Sequence, residues 1–252
     1  MTELNQRPIL DDVPRRPRTR QLELDLPQKY GWGGRRPGAG RKPGPNPLVR
    51  HRSRPGLAGP RPCHVTLKVR EGVPSLRSAK LVREIERSFA RSCERGRFRV
   101  VHYSIQSDHA HLMVEARDCE ALGRGMKSIA ARFARAVNRV LKRSGRVLRD
   151  RYHLHVLETP REVRNALRYV LLNGRRHAAK GRGGVRGFVR IDPASSGAWF
   201  DGWREGMAAL LRGRTPGPPP VARARTSLLR RGWRRHGLLD PADVPGGYGA
   251  SP

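Results

Sequence analysis

Apolar and polar positions alternate with a period of two in four stretches of the chain and recur with a period near 3.6 in three others. In Pro62 to Arg70 (PCHVTLKVR), Val65, Leu67 and Val69 oppose His64, Thr66 and Lys68, the pattern of a strand with one buried face. Leu81, Val82, Ile85 and Phe89 follow at helical spacing after Pro74-Ser75, and Gly96 is placed to end that run. Phe98 to Ile105 and His109 to Ala116 read as two more strands, joined by the turn Gln106-Ser107-Asp108 into a hairpin. Leu122, Met126, Ile129, Phe133, Val137 and Leu141 define a second, longer amphipathic helix, and its opposite side carries Arg124, Arg135, Arg139 and Lys142. Arg149 to Leu157 (RDRYHLHVL) is a fourth strand. Thr159-Pro160-Arg161-Glu162 then combines a capping box with proline at the first helical position, which starts a third helix. That helix runs through Val163, Ala166, Leu167, Val170 and Leu171 to Asn173-Gly174, where the glycine is expected to supply a left-handed cap.

The order β-α-β-β-α-β-α predicts an α+β chain with a ferredoxin-like, split β-α-β arrangement. Four antiparallel strands are backed by two helices, and an extra C-terminal helix carries Tyr169. The same architecture serves binding modules and enzymes, so function has to be read from side chains.

Composition narrows the partner. A formal net charge of +32 over 252 residues points to a polyanion, and nucleic acid is the usual one because neutralised phosphates release counterions. No apolar run is long enough to cross a bilayer and no signal-peptide or lipidation motif is present, so a membrane partner is not expected and the compartment reads as cytoplasmic. Cys63, Cys93 and Cys119 are odd in number and lack CxxC spacing, which argues against a disulfide framework or a zinc ribbon. The charge is uneven. Residues 1–60 and 212–252 are rich in Arg, Pro and Gly, without apolar periodicity except for one short helix around Thr226 to His236, and both are expected to be disordered basic extensions. Between them lie a folded domain, 61–180, and an aromatic, turn-rich extension, 181–211, expected to dock on it.

The candidate chemistry begins with Asp108-His109-Ala110-His111. Residues two apart on a strand share a face, so both imidazoles could grip one metal ion, although two half-buried histidines in an ordinary strand satisfy the spacing equally well. Tyr169 and Asn173, four apart, would share one side of the third helix at the border of its apolar face. If that edge lies over the histidines, a phenol and an amide oxygen join them. Otherwise Tyr169 packs an interface and Asn173 only ends a helix. His153 and His155 repeat the alternating spacing without a third partner, and packing or phosphate contact is their expected role. His64-Val65-Thr66 has the HxT form of two-histidine phosphoesterases, but a second such tripeptide is missing. Arg35, Arg36, Arg41 and Lys42 sit in a Gly-Arg-Lys-Pro stretch that reads either as a minor-groove hook or as a solvated basic linker. With Arg124, Lys127, Arg135, Arg139 and Arg168 they are the candidate DNA contacts. Trp199 and Trp203 could stack a base or simply pack.

The HVTLKVR strand, the SDHAHLMV pair, the DRYH strand and the TPREVRNALRYVLLN helix together resemble the IS200-like single-tyrosine transposases, and within them the REP-associated tyrosine transposases. The likeness covers about residues 62–178. The family's His-hydrophobe-His motif has the small Ala110 in its middle place. The resemblance implies cleavage and rejoining of single-stranded or hairpin DNA through a 5′-phosphotyrosine on Tyr169. It also implies that His109, His111 and Asn173 hold a magnesium or manganese ion. A homodimer is left open, since relatives act both as dimers and alone. The rival reading is a non-catalytic nucleic-acid-binding module that has inherited the fold.

Overall fold

The computed structural model describes residues 56–91, 94–174, 191–206 and 216–243. Strand β1 (Arg61–Lys68) leads into α1 (Ala79–Ala90). A two-residue strand β2 (Glu94–Arg95) follows, then the hairpin β3 (Phe98–Ile105) and β4 (His109–Ala116), helix α2 (Cys119–Val140), β5 (His153–Val156) and α3 (Pro160–Leu171). The sheet order is β2-β3-β4-β1-β5, with every neighbouring pair antiparallel. The four long-range strands thus take the ferredoxin-like arrangement expected from the sequence. The fifth, β2, is an addition at one edge, formed because Gly96 at φ 56° turns the chain straight back into β3. Gly96 therefore shapes this hairpin instead of ending α1, whose cap is Arg91.

The helices begin where their caps dictate. The Ser78 side chain accepts from the Leu81 N–H at α1, and Asp118 accepts from Ala121 at α2. At α3 Thr159 and Glu162 form the reciprocal capping box, with Pro160 in the first turn. Strand β5 is shorter than the expected Arg149 to Leu157. Before it, Leu148 makes one isolated bridge to Val69 and Arg149 donates to the Lys68 carbonyl.

Each face of the sheet has its own layer. Val65 and Leu67 of β1, Leu112 and Val114 of β4, and Val100, Tyr103 and Ile105 of β3 are buried with Leu81, Ile85 and Phe89 of α1 and Met126, Ile129, Phe133 and Val137 of α2. Burying each large apolar side chain there contributes about 1.5–3 kcal/mol. Alternation already turns Val101 to the opposite face, and a bulge between Val100 and His102 keeps His102 there beside it. Val101 joins Met113 and Leu157 on the opposite face, under Val163, Ala166, Leu167, Val170 and Leu171 of α3.

The C-terminal part departs from expectation. Residues 216–243 are not a loose basic tail: Leu229, Trp233 and Leu239 are buried in the α3 layer. Helix α4 (Ser227–Arg230) and a 3₁₀ turn (Gly232–His236) carry them, at the place of the expected short helix. Arginine-rich composition masked three apolar anchors. The aromatic extension, where described, docks at the end of β3. Ile105 donates to the Ala194 carbonyl, and Arg77 grips Asp192 through both guanidinium nitrogens at 2.8 and 3.0 Å. Trp203 is buried there with its indole N–H on the Gly197 carbonyl, and Trp199 donates to the Gly217 carbonyl. Residues 1–55, among them Arg35, Arg36, Arg41 and Lys42, lie outside the described residues.

Candidate active site

Strand pairing assembles the site. Partners directly opposite in a ladder present their side chains on one face, and the register sets Thr66 and Ser104 beside His111, Lys68 beside His109, and His64 beside Met113. On the other side of β1, His153 pairs with Thr66 and His155 with His64. His64, His109, His111, His153 and His155 consequently share one face of the sheet. Helix α3 crosses that face.

The crossing brings the phenol to the imidazoles. The Tyr169 ring lies 5.0 Å from His111 and 5.8 Å from His64, centroid to centroid, edge-on to both. His109 and His111 are themselves 4.6 Å apart in a T-shaped pair. Of the three sequence-predicted partners, the histidine pair and Tyr169 are thus gathered on one patch of the molecule.

Neighbouring groups orient the two rings. Asp108 lies 2.6 Å from Nδ1 of His109; a carboxylate there fixes Nδ1 as the donor and puts the lone pair on Nε2. Burial works against the Asp108 charge, but the His109 hydrogen bond and the charges of His109 and Lys68 hold its carboxyl below the usual range. Nδ1 of His111 lies 3.1 Å from Nε2 of His64 and 3.1 Å from the Thr66 hydroxyl. His64 is held neutral: burial first, then the charges of His155, His153 and His109, push its pKa down to about 4. A neutral His64 can accept from the His111 Nδ1–H, which again directs the lone pair of His111 to Nε2. Reading the sequence alone set His64 and Thr66 aside. The signal for them was the β1–β4 register, which no single strand's pattern contains.

Asn173 sits differently from the expectation of a continuous helix face. Helix α3 ends at Leu171 with Leu172 as its cap, so Asn173 lies just past it. The side chain is fully buried, and neither its amide nitrogen nor its oxygen has a hydrogen-bond partner. A buried amide left this way costs about 1–3 kcal/mol, a debt that a ligand on the oxygen would lift. Gly174 is not a left-handed cap. It is needed for close approach, since a Cβ there would come within 2.3 Å of the Asp192 carboxylate. Among the described residues, no three His, Cys, Asp or Glu side chains converge to hold a metal ion; the expected third ligand here is an amide, outside that set.

The other candidate contacts fall elsewhere. Arg124, Lys127, Arg135 and Arg139 ride on α2, in the layer across the sheet from the histidines. Arg124 pairs with Glu120 at 3.0 Å, and Arg139 with Glu84 of α1 at 2.5 Å. Arg168, next to Tyr169, pairs with Asp243 at 2.9 Å. Cys63 and Cys119 take part in no disulfide, and Cys119 Sγ accepts from the Leu57 N–H. No helix among the described residues is long and apolar enough to cross a membrane.

Residues 63–171, from β1 to the end of α3, match the family model described as IS200-like transposase. Over that stretch the chain is similar to the IS200-like transposases. A solved structure of a REP-associated tyrosine transposase bound to a REP hairpin is similar over 51% of this chain and 74% of its own, at 14% sequence identity and a TM-score of 0.41. No curated protein matches the chain.

Proposed function

We propose that the domain cleaves and rejoins single-stranded or hairpin DNA with Tyr169 as nucleophile, in the manner of a metal-dependent single-strand endonuclease and strand transferase. The observation that carries this reading is the Tyr169 ring lying against His111 and His64 of its own chain, which supports attack in cis. The Tyr169 hydroxyl oxygen forms a bond to phosphorus, the bond from phosphorus to the 3′ oxygen breaks, and the strand leaves with a free 3′-hydroxyl while its 5′ side stays on the tyrosine. The proton lost by the phenol balances the one gained by the 3′ oxygen. Because the phosphotyrosine conserves a phosphodiester, a 3′-hydroxyl can attack it and restore DNA without a nucleotide cofactor.

His109, His111 and Asn173 would hold a magnesium or manganese ion. The orphaned Asn173 amide and the two imidazoles whose Nδ1 atoms are already engaged fit that role. Such an ion neutralises a non-bridging phosphate oxygen, the charge that otherwise repels a nucleophile. The net charge of +32 favours a polyanionic substrate.

Incubating labelled hairpin DNA with the protein and manganese, followed by denaturing electrophoresis, should give a covalent adduct that Tyr169→Phe abolishes. An adduct that survives the substitution would overturn the nucleophile. Absence of any adduct over varied hairpins, with DNA binding intact, would favour the non-catalytic binding module.

A further inference from the structure

Glu115 is the one acidic side chain of β4, four residues beyond His111 on the same face, and only 2% exposed. A carboxylate so buried is costly unless it is fully engaged, and this one is. Its Oε2 accepts from Arg99 at 3.2 Å and from the Arg225 backbone N–H at 2.9 Å; its Oε1 accepts from the Thr226 N–H at 2.9 Å and the Thr226 hydroxyl at 2.6 Å. Thr226 is itself the cap of α4, taking the Leu229 N–H on the same hydroxyl. The strand that bears His109 and His111 is thereby fastened to the start of the C-terminal segment.

From that anchor the segment packs along α3. Leu229, Trp233 and Leu239 pack with Val163, Leu167, Val170 and Leu171. Trp233 stacks on Phe200, and its indole N–H donates to the Leu229 carbonyl. Two arginines one turn apart on α3 close the clasp. Arg164 donates to the Gly237 and Leu238 carbonyls at 2.9 and 3.3 Å, and Arg168 pairs with Asp243 at 2.9 Å. Tyr169 is the next residue. Helix α3 is thus in contact both with the histidine face of the sheet and with residues 226–243, which lie outside the stretch that matches the transposase family.

We infer that the C-terminal segment is a brace that sets the depth of Tyr169 against the histidines, and that Glu115 is the positioning residue joining it to the strand of the site. This rests on Tyr169 being the nucleophile, but the brace has a readout of its own. A displacement of about 1 Å in a reacting group can cost on the order of 100-fold in rate, so a loosened α3 should be felt in turnover before it is felt in binding.

In the full-length chain, Glu115→Gln should raise amide hydrogen exchange through α3 while α1 and α2 keep theirs. Adduct formation should slow by about 10- to 100-fold, with DNA affinity held within about twofold. Removing the Glu115 charge leaves Arg99 buried beside a neutral amide, so cooperative melting of the variant is the condition for this comparison. Should it fail to fold, Arg164→Ala, which cuts the clasp at its exposed rim, is expected to give the same pattern. Unchanged α3 exchange, or raised α3 exchange with adduct formation at the wild-type rate, would overturn the brace. If the unaltered protein forms no adduct at all, the nucleophile reading fails while α3 exchange still decides the brace: a rise confined to α3 supports it, and no change ends it.

Discussion

The face of the sheet beneath α1 and α2 is lined by Val65, Leu67, Leu112, Val114, Val100 and Ile105, and there the Tyr103 hydroxyl donates to Glu86. The face beneath α3 carries six of the chain's nine histidines, together with Arg99 and Glu115. One side is held by packing, whose energy is non-directional and scales with area. The other is held by directed contacts among groups that are expensive to bury. Stability and the proposed chemistry are thus assigned to opposite sides of the same strands, and alternation along β1 and β4 lets one sequence supply both.

The division breaks most sharply under truncation of the packed side. Phe133→Ala should cost about 3–5 kcal/mol in urea unfolding, yet whatever fraction stays folded should form the Tyr169 adduct at the normal rate. A rate falling in step with stability would mean that the two faces are coupled.

A smaller effect, and of the opposite kind, is expected from acid. Burial, only partly offset by Asp201, pushes His102 down to about 4, against 6.5 for an ordinary histidine. Between those values the unfolded chain binds a proton that the folded chain refuses. Stability is therefore full above pH 6.5 and falls as pH drops toward 4, by up to about 3 kcal/mol from this residue. His64 acts in the same direction. His102→Gln should flatten the unfolding free energy over that window, and an unchanged slope would move the acid sensitivity elsewhere.

The smallest effect sharpens the contrast from within the site. Asn173→Leu should raise metal-free stability by about 1–2 kcal/mol, because a buried amide without a partner is replaced by an apolar group of similar size. The same variant should lose manganese affinity in a direct titration. A drop in stability in the presence of a chelator would show that the amide is already satisfied.

The elements themselves were legible because each announces itself locally: period two in HVTLKVR, a capping box at Thr159 and Glu162, an apolar stripe from Leu122 to Leu141. His109 and His111 stand out as candidates for the same reason, and Tyr169 through its spacing from Asn173 together with the family resemblance. What stayed hidden depends on contacts between distant segments. His64 and Thr66 matter because β1 pairs with β4 in one register, and Glu115 looked like an ordinary charge near the end of a strand until Thr226 arrived from 111 residues away. Trp233 and Leu239 were submerged in arginines, so their burial against α3 could not be inferred from composition. Gly174 is required by the nearness of Asp192, a contact between distant segments, and not by a backbone angle.

The extra residue in β3 acts like a corrected reading frame. Upstream of it Val100 stands opposite Val114, and downstream Tyr103 stands opposite Leu112 and Ser104 opposite His111. Remove that single insertion and continue the upstream frame, and Tyr103 would fall opposite His111 while Ser104 turned to the apolar layer. One unpaired position thus keeps two incompatible messages, one oily and one ionic, in phase along a strand eight residues long.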